Sequence, residues 1–279
     1  LYSNTNYLWN LRQKKGILLA AHRGTFGANV INNTCLAFEN AIQHKADIIE
    51  VDVILSKDGV FYAFHDGGEK LQLDMDGDIK EMLSQEIESY PFLNQLGLVT
   101  NQHVDRLDRV LQCFKGRCLF NIDRSWFYWK ETIKYLEEKD MAGQILLKAP
   151  AEDEYLQILQ DSGSQIMFMP IVRNMDDWKK VQKYKINLAA VELIFDSLES
   201  PLVAPEFIDS LHDMKLLTWV NAITLDDTYI MSAQLDDNHA IADGYEENWG
   251  RLADMGFDII QTDWLALLKS FLSQRTIKK

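Results

Sequence analysis

The feature that most constrains this fold is a repeated alternation of short apolar runs with amphipathic stretches. Runs of strand length stand at 17–21, 47–54, 118–123, 144–148, 165–171, 188–194, 216–221 and 258–262. Helical patterns lie between and after them, at 34–45, 104–114, 126–139, 151–161, 174–184, 204–214, 224–234, 245–255 and 264–273. In the first of these, Phe38, Ala41, Ile42 and Lys45 follow the i, i+3, i+4, i+7 spacing, with Asn33 or Thr34 as N-cap. Strands that are apolar throughout are buried on both faces, and strands joined by helices run parallel. Eight such units close into a (β/α)8 TIM barrel, here expected as one domain over residues 1–279. An open doubly wound sheet fits less well, because no Gly-rich fingerprint follows the first strand.

One segment breaks the alternation. Residues 54–66 read Ile-Leu-Ser-Lys-Asp-Gly-Val-Phe-Tyr-Ala-Phe-His-Asp, with Asp58-Gly59 as a hairpin signal between strand-type residues. A turn centred on 58–59 puts Asp52 opposite His65, with Cβ atoms about 4.5–5.5 Å apart. Residues 66–105 are too long for an ordinary connection and show weak helical patterning at 79–90, so a small insertion over one barrel face is expected.

Charge narrows the partners. Asp and Glu number 42 against 28 Lys and Arg, a net charge of −14. Such a chain has no general attraction for nucleic acid or an anionic membrane, and no apolar run approaches the roughly 18 residues that span a bilayer. Binding an anion then requires a local device that overrides the field. Cys35, Cys113 and Cys118 cannot all pair within the chain and lack zinc spacing, so they read as buried or incidental thiols. The chain opens on Leu1 rather than Met, so removal of an upstream segment, a signal peptide or a cloning boundary, is expected. That leaves periplasmic, secreted and cytoplasmic locations open, as is the oligomeric state.

TIM-barrel active sites sit at the C-terminal ends of the strands. Those ends supply His22 and Arg23, Glu50 and Asp52, Asp123, Lys148, Glu192 and Trp219, with His65 delivered by the hairpin. Glu50 and Asp52 are two apart and so share a face. Burying such a pair is costly without a cation, and an all-oxygen set favours Mg²⁺, Ca²⁺ or Mn²⁺ over zinc. Imidazoles suit general acid and base roles, and Arg23 and Lys148 suit a phosphate. Lys148 equally suits a salt bridge to the carboxylates. Glu192 suits a ligand, a salt-bridge partner or a substrate contact, and Trp219 and Trp264 suit packing or a substrate platform. His44, His103, His212 and His239 read as structural or surface residues. Asp74–Asp78 is no calcium loop, since Ile79 and Gln85 stand where Gly and Glu belong. The residues alone read as metal-assisted attack on a phosphoester.

Ala21-His22-Arg23-Gly24, Asn33-Thr34, Ile49-Glu50-Val51-Asp52-Val53, Lys57-Asp58-Gly59 and His65-Asp66 resemble the glycerophosphodiester phosphodiesterase family, within the phosphatidylinositol-phospholipase-C-like superfamily. Asn121-Ile122-Asp123, Trp219-Val220-Asn221, Gly256-Phe257-Asp258 and Thr262-Asp263 match later landmarks in order. The resemblance covers roughly residues 17–265. It implies a (β/α)8 barrel with an insertion after the His-Asp motif, a divalent cation (Ca²⁺ or Mg²⁺), and hydrolysis of a small glycerophosphodiester to sn-glycerol 3-phosphate and an alcohol, within glycerol and lipid metabolism. Residue by residue it implies His22 and His65 as the acid/base pair, Glu50, Asp52 and Asp123 as metal ligands, and Arg23 on the phosphate. The chain departs from the family in Ile31-Asn32 before Asn33-Thr34, in Asp123 for a Glu, and in Ser125 for a phosphate-contacting Lys, which Lys148 or Arg124 would replace. Arg124–Trp129 adds an aromatic cluster expected at the mouth. Two alternatives stand beside hydrolysis: a catalytically weakened phosphodiester binder, and a phospholipase that forms a cyclic phosphate.

Overall fold

The structure is a computed structural model that describes residues 3–225 and 228–275, with side chains from Tyr7 onward. Its elements in chain order begin α1 (Ser3–Lys15), β1 (Leu18–Ala21), α2 (Cys35–Gln43), β2 (Ile48–Leu55) and β3 (Phe61–Ala63). The 66–105 stretch holds α3 (Glu69–Leu73), α4 (Ser84–Ile87), β4 (Pro91–Leu93) and β5 (Val99–His103). Then come α5 (Leu107–Phe114), β6 (Leu119–Asp123), α6 (Trp129–Glu137), β7 (Ile145–Pro150), α7 (Asp153–Ser162), β8 (Met167–Val172) and α8 (Met175–Val181). The last elements are β9 (Ala190–Leu193), α9 (Pro205–Asp213), β10 (Leu217–Asn221), α10 (Asp237–Asp243), α11 (Arg251–Asp254), β11 (Ile259–Thr262) and α12 (Leu265–Gln274).

Eight strands pair in parallel in the order β1-β11-β10-β9-β8-β7-β6-β2, and β2 pairs back to β1, closing the (β/α)8 barrel. Side chains alternate between faces. Leu18 and Ala20 point with Ile48, Leu119, Leu146, Met167, Leu217 and Trp219 into one buried interior cluster. Leu19 and Ala21 point instead to the larger cluster shared with the surrounding helices. The interior is thus a packed core and not a pore.

Helix α1 has no counterpart in the sequence pattern. It packs Leu8, Trp9 and Leu11 against the interior cluster. Arg12 Nε lies 2.5 Å from Asp258 Oδ1 and Lys15 Nζ 2.5 Å from Asp47 Oδ1. Both acids precede strands, so α1 stoppers the N-terminal end of the barrel.

Two expectations need correction. The hairpin loop has three residues, not two: Ser56 N–H donates to Val60 O at 2.9 Å, Gly59 N–H to Ser56 O at 3.0 Å, and Gly59 takes φ +83°. A turn closed by a left-handed glycine shifts the register by one. Val53 pairs with Ala63 and Leu55 with Phe61, so Asp52 faces Phe64, whose N–H it accepts at 3.0 Å. His65 therefore is not its cross-strand neighbour. The helix expected at 224–234 is also absent. Positions 226 and 227 lie outside the described residues; the rest is irregular, and its backbone pairs with the chain after β9 through Phe195 N–H to Met231 O and Ala233 N–H to Phe195 O. Ladder contacts there replace helical ones, and the helix comes later, as α10.

Candidate active site

At the C-terminal ends of the strands lies a cleft of about 510 Å³. His22, Arg23, Asp52, His65, Asp123, Lys148 and Glu192 all line it. Strand register brings the acids together: Asp52 pairs with Asp123 and Glu50 with Asn121 across β2 and β6.

The loop after β1 is tightly built. Arg23 takes φ +55°, and its N–H donates to Glu50 Oε2 at 2.8 Å. Gly24, at φ +83°, runs so close to α2 that a Cβ would sit 2.8 Å from the Ala37 carbonyl carbon. Asn33, at φ +54°, donates from Nδ2 to Asp52 Oδ2 at 2.9 Å and accepts Asp52 N–H at 3.1 Å. Thr34 caps α2 by accepting Ala37 N–H at 3.2 Å. The retained Asn33-Thr34 thus does the work at this turn.

Glu50 is fully buried, and Oε1 has no hydrogen-bond partner among the described residues. Burial, with Asp52 and Asp123 nearby, holds its carboxyl well above the usual range. Burial also works against the charge on Asp52, but Arg23, His65 and His22 outweigh it and keep that carboxyl low. Arg23 Nε lies 2.8 Å from Asp52 Oδ2. Ligand oxygens of Glu50, Asp52 and Asp123 lie within 4.8 Å of one another. Oxygens on opposite sides of a Ca²⁺ ion, each at about 2.4 Å, are separated by that much. A buried, unpartnered carboxylate oxygen in an all-oxygen set fits a hard divalent cation and not zinc.

Lys148 is buried, with Nζ 2.5 Å from Asp123 Oδ2 and 3.3 Å from Glu192 Oε2. Burial opposes its charge, but Asp123, Glu192 and Glu50 overcome that and keep it protonated. Of its two expected partners, the structure gives the carboxylates. Ser125 is fully buried. Glu192 accepts Asn221 Nδ2–H at 2.7 Å and is a salt-bridge partner. Arg124 grips Asp66 at 2.6 Å, and Asp66 also accepts Lys80 at 2.8 Å, tying the 66–105 stretch to the end of β6. Of the aromatic cluster, Trp126 lines the cleft, while Phe127 is exposed and Trp129 is buried, donating to Tyr155 O at 3.0 Å.

His22 Nδ1 lies 2.8 Å from Asp263 Oδ1, which leaves Nε2 for the cleft. Burial, with Arg23 and Arg124, pulls His65 below the ordinary imidazole range despite Asp52. Asp263 was not among the sequence-derived site residues, although it follows the last strand and collecting all eight strand ends would have included it. Trp219 is not at the mouth: it is fully buried in the interior, donating to Asn221 Oδ1 at 2.8 Å, because its strand position faces the core layer. Trp264, the residue before α12, is about half exposed and does not line the cleft. The far wall carries Ile171, Ile194, Ile223 and Met231, with Arg173 and Tyr229 at the rim. Arg173 donates to Tyr229 Oη at 3.1 Å.

Comparison with known proteins follows this geometry. A family described as a domain of unknown function (DUF4996) matches residues 168–272. The chain is 36% identical over 107 residues to a glycerophosphodiester phosphodiesterase of Bacillus altitudinis, covering 37% of this chain and 42% of that protein. It is 31% identical over 105 residues to the lysophospholipase D GDPD3 of Mus musculus, covering 35% and 32%. The chain thus spans less than half the length of these relatives. A glycerophosphoryl diester phosphodiesterase from Parabacteroides distasonis superposes with a TM-score of 0.79 at 17% identity, covering 100% of this chain and 95% of that one. A phosphodiesterase from Oleispira antarctica, in complex with the product sn-glycerol-3-phosphate, gives 0.66 at 17%, covering 92% and 97%. At these identities the superpositions establish the barrel. Among the described residues no helix is long and apolar enough to cross a membrane. The ordered motifs and the consistently named relatives make the chain similar to glycerophosphodiester phosphodiesterases, and the superpositions show the barrel they share.

Proposed function

We propose that the chain hydrolyses small glycerophosphodiesters to sn-glycerol 3-phosphate and an alcohol, using His22 and His65 as acid and base. The observation that carries this reading is that both histidines line the same cleft as Asp52 and Asp123, whose carboxylate oxygens lie within 4.8 Å of one another and of the buried Glu50. Glu50, Asp52 and Asp123 would hold a divalent cation, Ca²⁺ or Mg²⁺. Bound there, the cation supplies charge neutralisation for the phosphate.

The chain's own residues do the rest. Arg23 lies beside Asp52 and Lys148 beside Asp123, so both bring positive charge to the acids that the phosphodiester approaches. One histidine takes a proton from the attacking nucleophile as its oxygen bonds to phosphorus, and the other protonates the alkoxide as its P–O bond breaks. The nucleophile is water, or the glycerol 2-hydroxyl with water then opening the cyclic ester. The carboxylate of Asp263, 2.8 Å from Nδ1, orients the His22 ring. The far wall, apolar with Arg173 at its rim, is the place for the alcohol portion. The enzyme reading is favoured over a non-catalytic binder because both histidines and all three acids reach the cleft or its floor.

The test is hydrolysis of glycerophosphocholine and glycerophosphoethanolamine with and without EDTA. Activity is expected to require a divalent cation and to vanish in His22→Ala and in His65→Ala. Activity that survives EDTA sinks the metal assignment. Binding without turnover over a broad panel of phosphodiesters favours the binder, and a cyclic phosphate product favours the phospholipase.

A further inference from the structure

A buried carboxyl outside the cleft, Asp237, stands directly behind the His22–Asp263 pair. It is 1% exposed and lies in the first turn of α10, which Asp236 caps by accepting His239 N–H at 3.0 Å. Asp237 Oδ1 accepts Trp249 Nε1–H at 2.9 Å and the Thr262 hydroxyl at 2.8 Å. Oδ2 accepts the Asp263 backbone N–H at 2.8 Å. Its own N–H donates to Ala222 O at 2.6 Å. The side chain therefore joins the Trp249 turn before α11 to the end of β11, and the backbone N–H of the same residue ties both to the stretch after β10. Burial, the largest influence, pushes the carboxyl up to about 7 against the three donors.

We propose that Asp237 is a positioning residue for the reaction: it fixes the Asp263 main chain so that the Asp263 carboxylate meets His22 Nδ1. This rests on the reading of His22 as an acid/base group. The donor pattern makes the role specific. The Trp249 indole and the Asp263 amide donate and cannot accept, and they approach opposite oxygens of the carboxyl. An Asn offers one acceptor. With its oxygen toward Trp249 and Thr262, its NH₂ faces the Asp263 N–H, donor against donor. Asp237→Asn thus keeps the shape and reverses the contact that sets Asp263.

The experiment is a double-mutant cycle on glycerophosphodiester hydrolysis, with ¹⁵N resonances of the His22 ring as a second readout. Asp237→Asn is expected to lower kcat by about 10–100-fold, the range for groups that orient a functional ligand, with KM within about twofold. The His22 ring resonances are expected to shift. In an Asp263→Asn background the same substitution is expected to add little, because residues acting through one another are not additive. A multiplicative loss in the double variant, or unchanged kcat and resonances in the single one, overturns the proposal. If Asp237→Asn does not fold, Trp249→Phe loosens the opposite oxygen while keeping an aromatic ring. A fall of about threefold or more in kcat is expected there, and wild-type kcat overturns the proposal. An active His22→Ala removes the underlying reading; an inactive His22→Ala beside a fully active Asp237→Asn removes this inference alone.

Discussion

Asn33 and Asp52 hold each other through two hydrogen bonds, side chain to side chain at 2.9 Å and backbone to side chain at 3.1 Å. Asn33→Ala removes both and leaves a buried carboxylate short of one donor. The expected cost is about 1–3 kcal/mol of stability. A roughly tenfold weaker apparent affinity for the activating cation is also expected, in the range for groups that orient a metal ligand. Activity titrated against Mg²⁺ or Ca²⁺ checks it; an unchanged midpoint refutes it.

Divalent cation is expected to raise the melting temperature, because a ligand that binds only the folded state stabilises it by about 2.7 kcal/mol at a hundred times its Kd. Glu50→Gln removes one charge from the set and is expected to abolish both the thermal shift and the activity. A shift that survives in Glu50→Gln would place the cation elsewhere.

Lys148 is the buried cation between Asp123 and Glu192. Lys148→Met leaves two carboxylates facing each other without it. Breaking a buried pair from one side costs about 3–5 kcal/mol. Urea denaturation is expected to show that loss, together with lost hydrolysis. A variant as stable as wild type would mean that water or a cation already compensates.

The barrel's other end carries a pH dependence. The hydrogen bond that Asp258 Oδ2 accepts from His212 Nε2 at 2.8 Å holds the His212 imidazole above its ordinary range. Its contribution to stability is therefore fully present below the unfolded value of about 6.5 and is lost as pH rises through the folded value. The stability gap between wild type and His212→Gln is expected to be about 1 kcal/mol at pH 5.5 and smaller at pH 8.5. Melting curves at the two pH values check it, and a gap that grows with pH contradicts it.

Much of this was legible in the sequence because parallel strands and amphipathic helices have different periods. The eight strand runs, and the three acids at their ends, followed from that and from where such barrels place chemistry. Helix α1 was not legible: Leu8 and Leu11 stand three apart and Tyr7 and Leu11 four, but Trp9 falls off that stripe and polar residues fill the rest of the helix, so no sustained stripe announces it. After β10, Leu225 and Tyr229 stand four apart as on a helix face, but tertiary pairing of Ser232 with Phe195 decides the backbone there. The hairpin register turned on one glycine conformation, which Asp58-Gly59 alone does not specify. The Asp237 carboxyl was invisible because its partners, Trp249 and the adjacent Thr262 and Asp263, lie 12, 25 and 26 residues away along the chain.

Helix α1 has a last consequence. With Leu8 packed under the core layer and Arg12 and Lys15 latched to strand-entry acids, the barrel is blind at that end. Reactant and products of the proposed hydrolysis thus share a single doorway. The phosphorylated product departs along the path the next diester must take, which makes traffic through the mouth, and not only bond cleavage, part of the turnover cycle.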